Sequence, residues 1–371
     1  MAASQLINRT LGCASGIGEH VNWKPAVLLV LGQLGCSSHA SRPIAKDLIL
    51  GAADTLVAAE SARLGRPFEL AVDHEGHLYV ADAASSTIVV LDSSGRTIGT
   101  VGRAGAGPGE FAIPRSITPA GESLWVADPG NGRFQVLSAR GGFGRSFPSP
   151  AAAAGGAVAF RADGSAVVAL NGRDSALAQR VSTRGALGNR FGRPVAVAPD
   201  VWDFTAMKAE IGRGRVPAAF RNVTDPVPAR DGGTWLILDA EATILRYDAR
   251  DSLIWEAALA EPEFGPIREA FFVQNRSDST PWRLRPLSFF GPGRDVGGTL
   301  WVLVRQPEGQ PVLILRIGEA GHVDGRLRIP SAVGVGAFAV DPTRRLLYLL
   351  ASQDATLLRI RLPASLTLGT P

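Results

Sequence analysis

One short apolar strand recurs six times, and its spacing limits the chain to very few architectures. It reads LYVAD (Leu78–Asp82), LWVAD (Leu124–Asp128), VVALN (Val167–Asn171) and WLILD (Trp235–Asp239), then returns in degenerate form as LWVLV (Leu300–Val304) and LYLLA (Leu347–Ala351). The ends of successive copies lie 46, 43, 68, 65 and 47 residues apart. A period of about 45 residues with about four strands in each is what propeller blades show. The two longer intervals need only insertions of roughly twenty residues after the third and fourth copies, which repeat architectures accept on one face.

The first unit, FELAVDHEGHLYVADAASSTIVVLDSSGRTIGTVG from Phe68 to Gly102, shows the blade most clearly. Val, Ile, Leu and Tyr clusters alternate with Asp, Gly and Ser turns, the pattern of hairpin-linked strands, and RTIGTVG supplies a fourth strand. The last unit has only three: AFAVD, LLYLLA and TLLRIRL, between Ala337 and Leu362. Its missing outer strand is expected from Thr55 to Leu64, TLVAAESARL, which would close the ring and remove a sheet edge. The fold class read from this pattern is all-β: a six-bladed β-propeller with four-stranded antiparallel blades, closed by an N-terminal strand. It occupies 55–363, preceded by an export segment (1–36) and a linker (37–54), and followed by a tail (364–371).

Composition agrees. A chain that is 46% hydrophobic and 19% charged can form a core, and 43 Gly with 25 Pro supply the tight turns that short strands need. The formal charge is only +4, Lys24, Lys46 and Lys208 are the sole lysines, and no basic run tracks a nucleic-acid backbone, so nucleic acid is not an expected partner.

Two stretches carry a family resemblance. LWVADPGNGRFQVLSARG (Leu124–Gly141) resembles the NHL repeat, with its valine, aspartate and Asn-x-Arg turn, and GAGPGEFAIP (Gly105–Pro114) is similar to the link between blades in bacterial NHL-like six-bladed propellers. The resemblance implies the propeller fold for the whole body. It implies function only broadly, since such propellers serve as binding scaffolds, lyases and sensor domains.

The only cysteines, Cys13 and Cys36, both precede the repeats. PAVLLVLGQLG (Pro25–Gly35) is an apolar run after Lys24 and before Cys36-Ser37-Ser38, too short to span a bilayer as a helix. It has the make-up of a secretory signal, and Gly35-Cys36 resembles the lipobox of bacterial lipoproteins, so Cys36 is the expected lipid attachment. The expectation is an exported, monomeric, periplasmic or cell-surface lipoprotein of a bacterium that meets the membrane only through its lipid. The polar stretch ahead of this segment points to a start at Val21, which Met1 on the mature protein would contradict.

In a propeller, the loops between second and third strands share one face with the connections between blades. Asp82, Asp128, Asn171 and Asp239 each end a second strand near that face. Their oxygens could ring a hard cation such as calcium, and gluconolactonase-like propellers use carboxylate and Asn oxygens in this way. The competing reading is that each caps its own turn through backbone amides. The insertions, 192–223 and 260–286, bring Trp202, Phe204, Arg213, Arg215, Phe220 and Arg221, and Arg268, Phe271, Phe272, Trp282, Arg283 and Arg285. Of these, Arg213, Arg215, Arg221, Trp282, Arg283 and Arg285 are expected to converge with Arg115 on a ligand, because guanidinium forks suit anions and aromatic faces suit sugars or apolar groups. The competing reading packs the aromatics into a small core of their own.

Other chemistry is poorly supplied. His74 and His77 flank a turn on the opposite face, with no cysteine or third histidine near in sequence, so they read as turn residues and not as a zinc pair. GRAGAGPG (Gly102–Gly109) lacks the Gly-Lys-Ser/Thr end of a phosphate loop, and no G-x-S-x-G or H-E-x-x-H occurs. The sequence therefore favours a module without a cofactor that binds a small anionic molecule, a glycan or a protein segment. A calcium-dependent lactonase-like hydrolase and a structural subunit of a cell-envelope complex are the alternatives.

Overall fold

The computed structural model describes residues 46–57, 64–150, 156–197 and 202–368. Strands β1 (Lys46–Ile49) and β2 (Asp54–Val57) precede blade one, the meander β3 (Pro67–Val72), β4 (Leu78–Asp82), β5 (Thr87–Leu91), β6 (Thr97–Val101). Blade two is β7 (Arg115–Ala120), β8 (Ser123–Asp128), β9 (Arg133–Ser138), β10 (Phe143–Pro148). Blade three is β11 (Val158–Phe160), β12 (Ala166–Ala169), β13 (Ala178–Val181), β14 (Leu187–Phe191). Blade four is β15 (Thr224–Pro228), β16 (Thr234–Leu238), β17 (Thr243–Tyr247), β18 (Leu253–Ala258). Blade five is β19 (Phe290–Val296), β20 (Thr299–Val304), β21 (Val312–Ile317), β22 (Val323–Ile329), and blade six is β23 (Val335–Asp341), β24 (Leu346–Ala351), β25 (Thr356–Arg361).

The chain is a six-bladed β-propeller. The first strands form its inner ring, β3, β7, β11, β15, β19 and β23 each touching the next and β23 returning to β3. Each second strand is wholly or largely buried, as in β4, β12, β16 and β24, because both of its faces pack on neighbouring blades. Outer strands such as β6 and β14 are exposed except for one end residue. Six apolar clusters fill the six gaps between blades. Blades one and two share Tyr79, Val90, Leu124 and Val126, for example, and blades five and six share Trp301, Ile314, Phe338 and Leu347.

The ring closes as the sequence implies. β2 runs antiparallel to β25, with Asp54 opposite Arg359 and Thr55 opposite Leu358, and so completes blade six. It spans four residues, and 58–63 lie outside the described residues. β1, in the stretch read as a linker, adds a fifth strand to blade five, parallel to β22, with Lys46 opposite Gly325 and Ile49 opposite Arg328. Leu366 and Leu368, read as tail, are buried against the core between blades five and six. Residues 1–36, read as an export segment, lie outside the described residues, Cys36 among them, and no described helix is long and apolar enough to cross a membrane.

GRAGAGPG links blades one and two. Gly102 has φ +77, and a Cβ there would meet the Phe111 ring at 2.2 Å, so only glycine lets Phe111 seat under the turn. The insertions are helical: α1 (Phe204–Gly212) and α2 (Ala218–Arg221) between blades three and four, and α3 (Phe264–Ser277) between blades four and five. Asp203 caps α1 by accepting from Ala206 N–H at 2.9 Å.

Candidate functional site

The inner ring encloses a channel, and at the end where the first strands begin it opens into a recess of about 390 Å³. Its walls come from all six blades: Phe68 and Glu69, Arg115 and Ser116, Ala157 and Val158, Asp225 and Pro226, Arg294 and Arg305, and Gly336. A second recess of about 290 Å³ continues along the channel and shares Glu69, Ser116, Val158, Pro226, Val227, Gly293 and Arg294 with the first.

Three guanidiniums and two carboxyls meet at this mouth, and their pairing is uneven. Arg294 reaches from β19 to Glu69 of β3, Nη2 lying 2.5 Å from Oε1, and donates also to Leu70 O at 3.0 Å. Arg115, exposed at the start of β7, lies with its guanidinium carbon 5.8 Å from the Phe68 ring centre. Arg305, exposed just beyond β20, donates Nε–H to Phe290 O at 2.8 Å. Neither Arg115 nor Arg305 forms an ion pair within 4 Å among the described residues, although the Arg305 charge acts on Asp225 and Asp239. Asp225 is flanked by Asp239, Arg305 and Glu69, and burial pushes its carboxyl up to about 7, with Asp239 adding and Arg305 opposing.

The four second-strand residues are occupied by backbone. Asp82 accepts from Arg66 N–H at 2.5 Å and from the Ser85 hydroxyl at 2.7 Å. Asp128 accepts from Ala112 N–H at 3.0 Å, Asn131 Nδ2 at 2.8 Å and Arg133 Nε at 3.3 Å. Asn171 accepts from Thr224 N–H at 3.0 Å, and Asp239 from Phe290 N–H at 2.8 Å and the Ser288 hydroxyl at 2.5 Å. Burial raises the Asp239 carboxyl, against the pull of those two hydrogen bonds. The four thus fasten blade connections, which is the capping reading, and the three aspartates do not gather their oxygens into a ring.

The described residues of the insertions likewise pack down, and none of them lines the recess. Met207, Ile211, Phe220, Phe264, Ile267 and Phe271 form one core with Phe289 and Phe290, and Lys208 Nζ ties α1 to Asp278 O at 3.0 Å. Of the residues expected to converge on a ligand, Arg115 lines the mouth, and Arg213, Arg215, Arg221, Trp282, Arg283 and Arg285 are not among its lining residues. Arg221 pairs with Glu241 at 2.6 Å, Arg283 with Asp278 at 3.6 Å, and Arg285 reaches Gln274 Oε1 at 3.4 Å, while Arg213 and Arg215 are exposed. Trp282 is 71% exposed. Loops of this length satisfy their own aromatic surface first, which leaves the arginines at the rim.

On the opposite face, His77 Nδ1 lies 3.1 Å from Asp73 Oδ2 and 3.4 Å from Glu75 Oε2, beside a cleft of about 650 Å³ between blades one and two. This is the only grouping of three or more potential His, Cys, Asp or Glu metal ligands among the described residues. His74 takes no part, its carbonyl accepting from Arg344 Nη1 at 3.1 Å. Asp73 also accepts from His77 N–H at 2.8 Å and from the Tyr79 hydroxyl at 3.0 Å. Burial, the largest influence on Asp73, pushes its carboxyl up, and these hydrogen bonds outweigh it and hold the carboxyl below its ordinary value. The arrangement closes the turn.

No protein-family signature matches the chain, and no curated protein matches its sequence. Solved structures do. A putative exported protein of Bacteroides fragilis superposes with a TM-score of 0.52 at 11% identity, covering 83% of this chain and 93% of that one. A calcium-binding protein, regucalcin, of Agrobacterium tumefaciens superposes with a TM-score of 0.50 at 11% identity, covering 86% and 96%. A streptogramin B lyase gives 0.48 at 11% identity, covering 80% and 93%. At this identity the likenesses show the fold alone.

Proposed function

We propose that this propeller is a binding module that takes a small oxyanion, such as a carboxylate, sulfate or phosphate ester, at the channel mouth. The observation that carries the reading is the pair of guanidiniums, Arg115 from blade two and Arg305 from blade five, lining one recess with no ion pair within 4 Å among the described residues. Two such forks on a concave, partly desolvated wall offer charge-assisted hydrogen bonds that a hydrated anion gains little elsewhere on the surface. The Arg294–Glu69 pair beside them is internally neutral and serves to fix the wall. Export and acylation at Cys36 belong to the same proposal, supported by the apolar run before that residue.

Calorimetric titration of the full chain with sulfate tests the site. Removing Arg115 by Arg115→Ala deletes one charge-assisted contact, and sulfate affinity is expected to fall roughly ten- to hundred-fold. Arg305→Ala should behave alike, whereas Arg213→Ala, exposed at the rim and away from the mouth, should bind as the parent does. Equal affinity in all four proteins would end the proposal.

A further inference from the structure

Asp225 lies in the innermost strand of blade four and lines the same recess as Arg115 and Arg305. It accepts no hydrogen bond among the described residues. The charged groups around it are Glu69 from β3, Arg115 from β7, Asp239 beyond β16, Arg294 from β19 and Arg305 beyond β20, while β11 and β12, which also pack on β15, bring none. The other two carboxyls are already engaged. Glu69 is held by Arg294 at 2.5 Å, and Asp239 by the Ser288 hydroxyl and Phe290 N–H. Asp225 is therefore the mouth carboxyl, among the described residues, whose oxygens remain for a ligand.

Building on the anion-site reading, we infer that Asp225 selects the ligand by donating a hydrogen bond from its carboxyl O–H to an acceptor oxygen of an oxyanion held by Arg115 and Arg305. An ionised carboxylate in this position would repel the anion that the arginines attract. A protonated one becomes a donor, so the mouth prefers anions with several acceptor oxygens, such as sulfate-, phosphate- or hydroxycarboxylate-bearing molecules, over halides of equal charge. The proton stays on Asp225 throughout, and no covalent step is involved. The same burial that lifts the carboxyl to about 7 sets the pH at which the donor is lost.

The sign follows directly. Below that value Asp225 carries its proton and donates; above it the proton must be taken up on binding, so affinity falls with rising pH. Sulfate does not change charge over this range, which makes it a suitable probe. Full linkage predicts that its affinity for the full chain drops about ten-fold between about pH 6 and about pH 8. Asp225→Asn keeps an uncharged donor at every pH and should bind with a flat profile, close to the parent's low-pH affinity. Thermal unfolding of the variant checks that it is folded. A flat profile in the parent, or an Asn variant that keeps the parent's slope, overturns the role of Asp225 and leaves the anion site standing. Sulfate that binds at neither pH overturns both.

Discussion

Deleting residues 1–57 is expected to abolish cooperative folding or bring it to the edge of stability, whereas deleting 1–45, which spares β1 and β2, serves as the reference. The longer deletion removes the fourth strand of blade six and the fifth of blade five. With them go Leu50 and Val57, only 4% and 6% exposed, each worth about 1.5–3 kcal/mol of apolar burial. β25 loses its ladder partner and becomes an open edge, inviting association with other chains. The summed loss of about 3–6 kcal/mol from these two side chains alone approaches the whole stability of an ordinary domain. Urea unfolding and the soluble yield of the two proteins measure it. Matching midpoints would show that the ring does not depend on its closing strand.

The second large effect is at Asp128, which is 0% exposed. Its carboxylate accepts from two backbone amides of the blade connection, Ala112 and Ile113, and from Asn131, Arg133 and Gln135. Asp128→Ala takes the carboxylate from the largely buried Arg133 guanidinium, which keeps only the carbonyls of Gly107 and Glu110, and leaves several other donors unpaired, which predicts a loss of about 3–5 kcal/mol. Asp128→Asn keeps an acceptor and should cost less. Thermal or urea unfolding of the three proteins gives the ranking. The same experiment separates a fastening role from a metal site: a calcium-dependent rise in melting temperature that disappears in Asp128→Ala would favour the cation reading.

The parts of the fold legible in the sequence are those sandwiched between blades. Strands such as LYVAD and WLILD bury both faces, so they read as continuous apolar runs and mark the blades by themselves. First strands face the channel on one side and carry whatever residues line it. TDPVP of β15 and FGPGRDV of β19 bear little resemblance to strands, which hides Asp225 and Arg294, whereas Glu69 sits in the recognisable strand FELAV and Arg305 just beyond LWVLV, where the local pattern marks no channel residue. A signal was present. Glu69 and Arg115 each stand thirteen residues before the aspartate ending the next strand, and Asp225 fourteen before Asp239, so the repeat register itself points to the channel wall.

The insertions also carry a legible signal. Phe264, Ile267, Phe271 and Asn275 have the spacing of one helical face, and all four are buried in α3. The aromatics were needed for the insertions' own core, in which Phe220 meets Phe271 edge-on at 6.3 Å.

Anomalous diffraction from crystals soaked in selenate, the heavier analogue of sulfate, tests the anion site most directly. The account predicts a selenium peak in the recess at the channel mouth, within hydrogen-bonding distance of Arg115 and Arg305 and beside Asp225, at a pH below about 7. Selenium found only at the rim, by Arg213, Arg215 or Arg283, with none between Arg115 and Arg305, would contradict it.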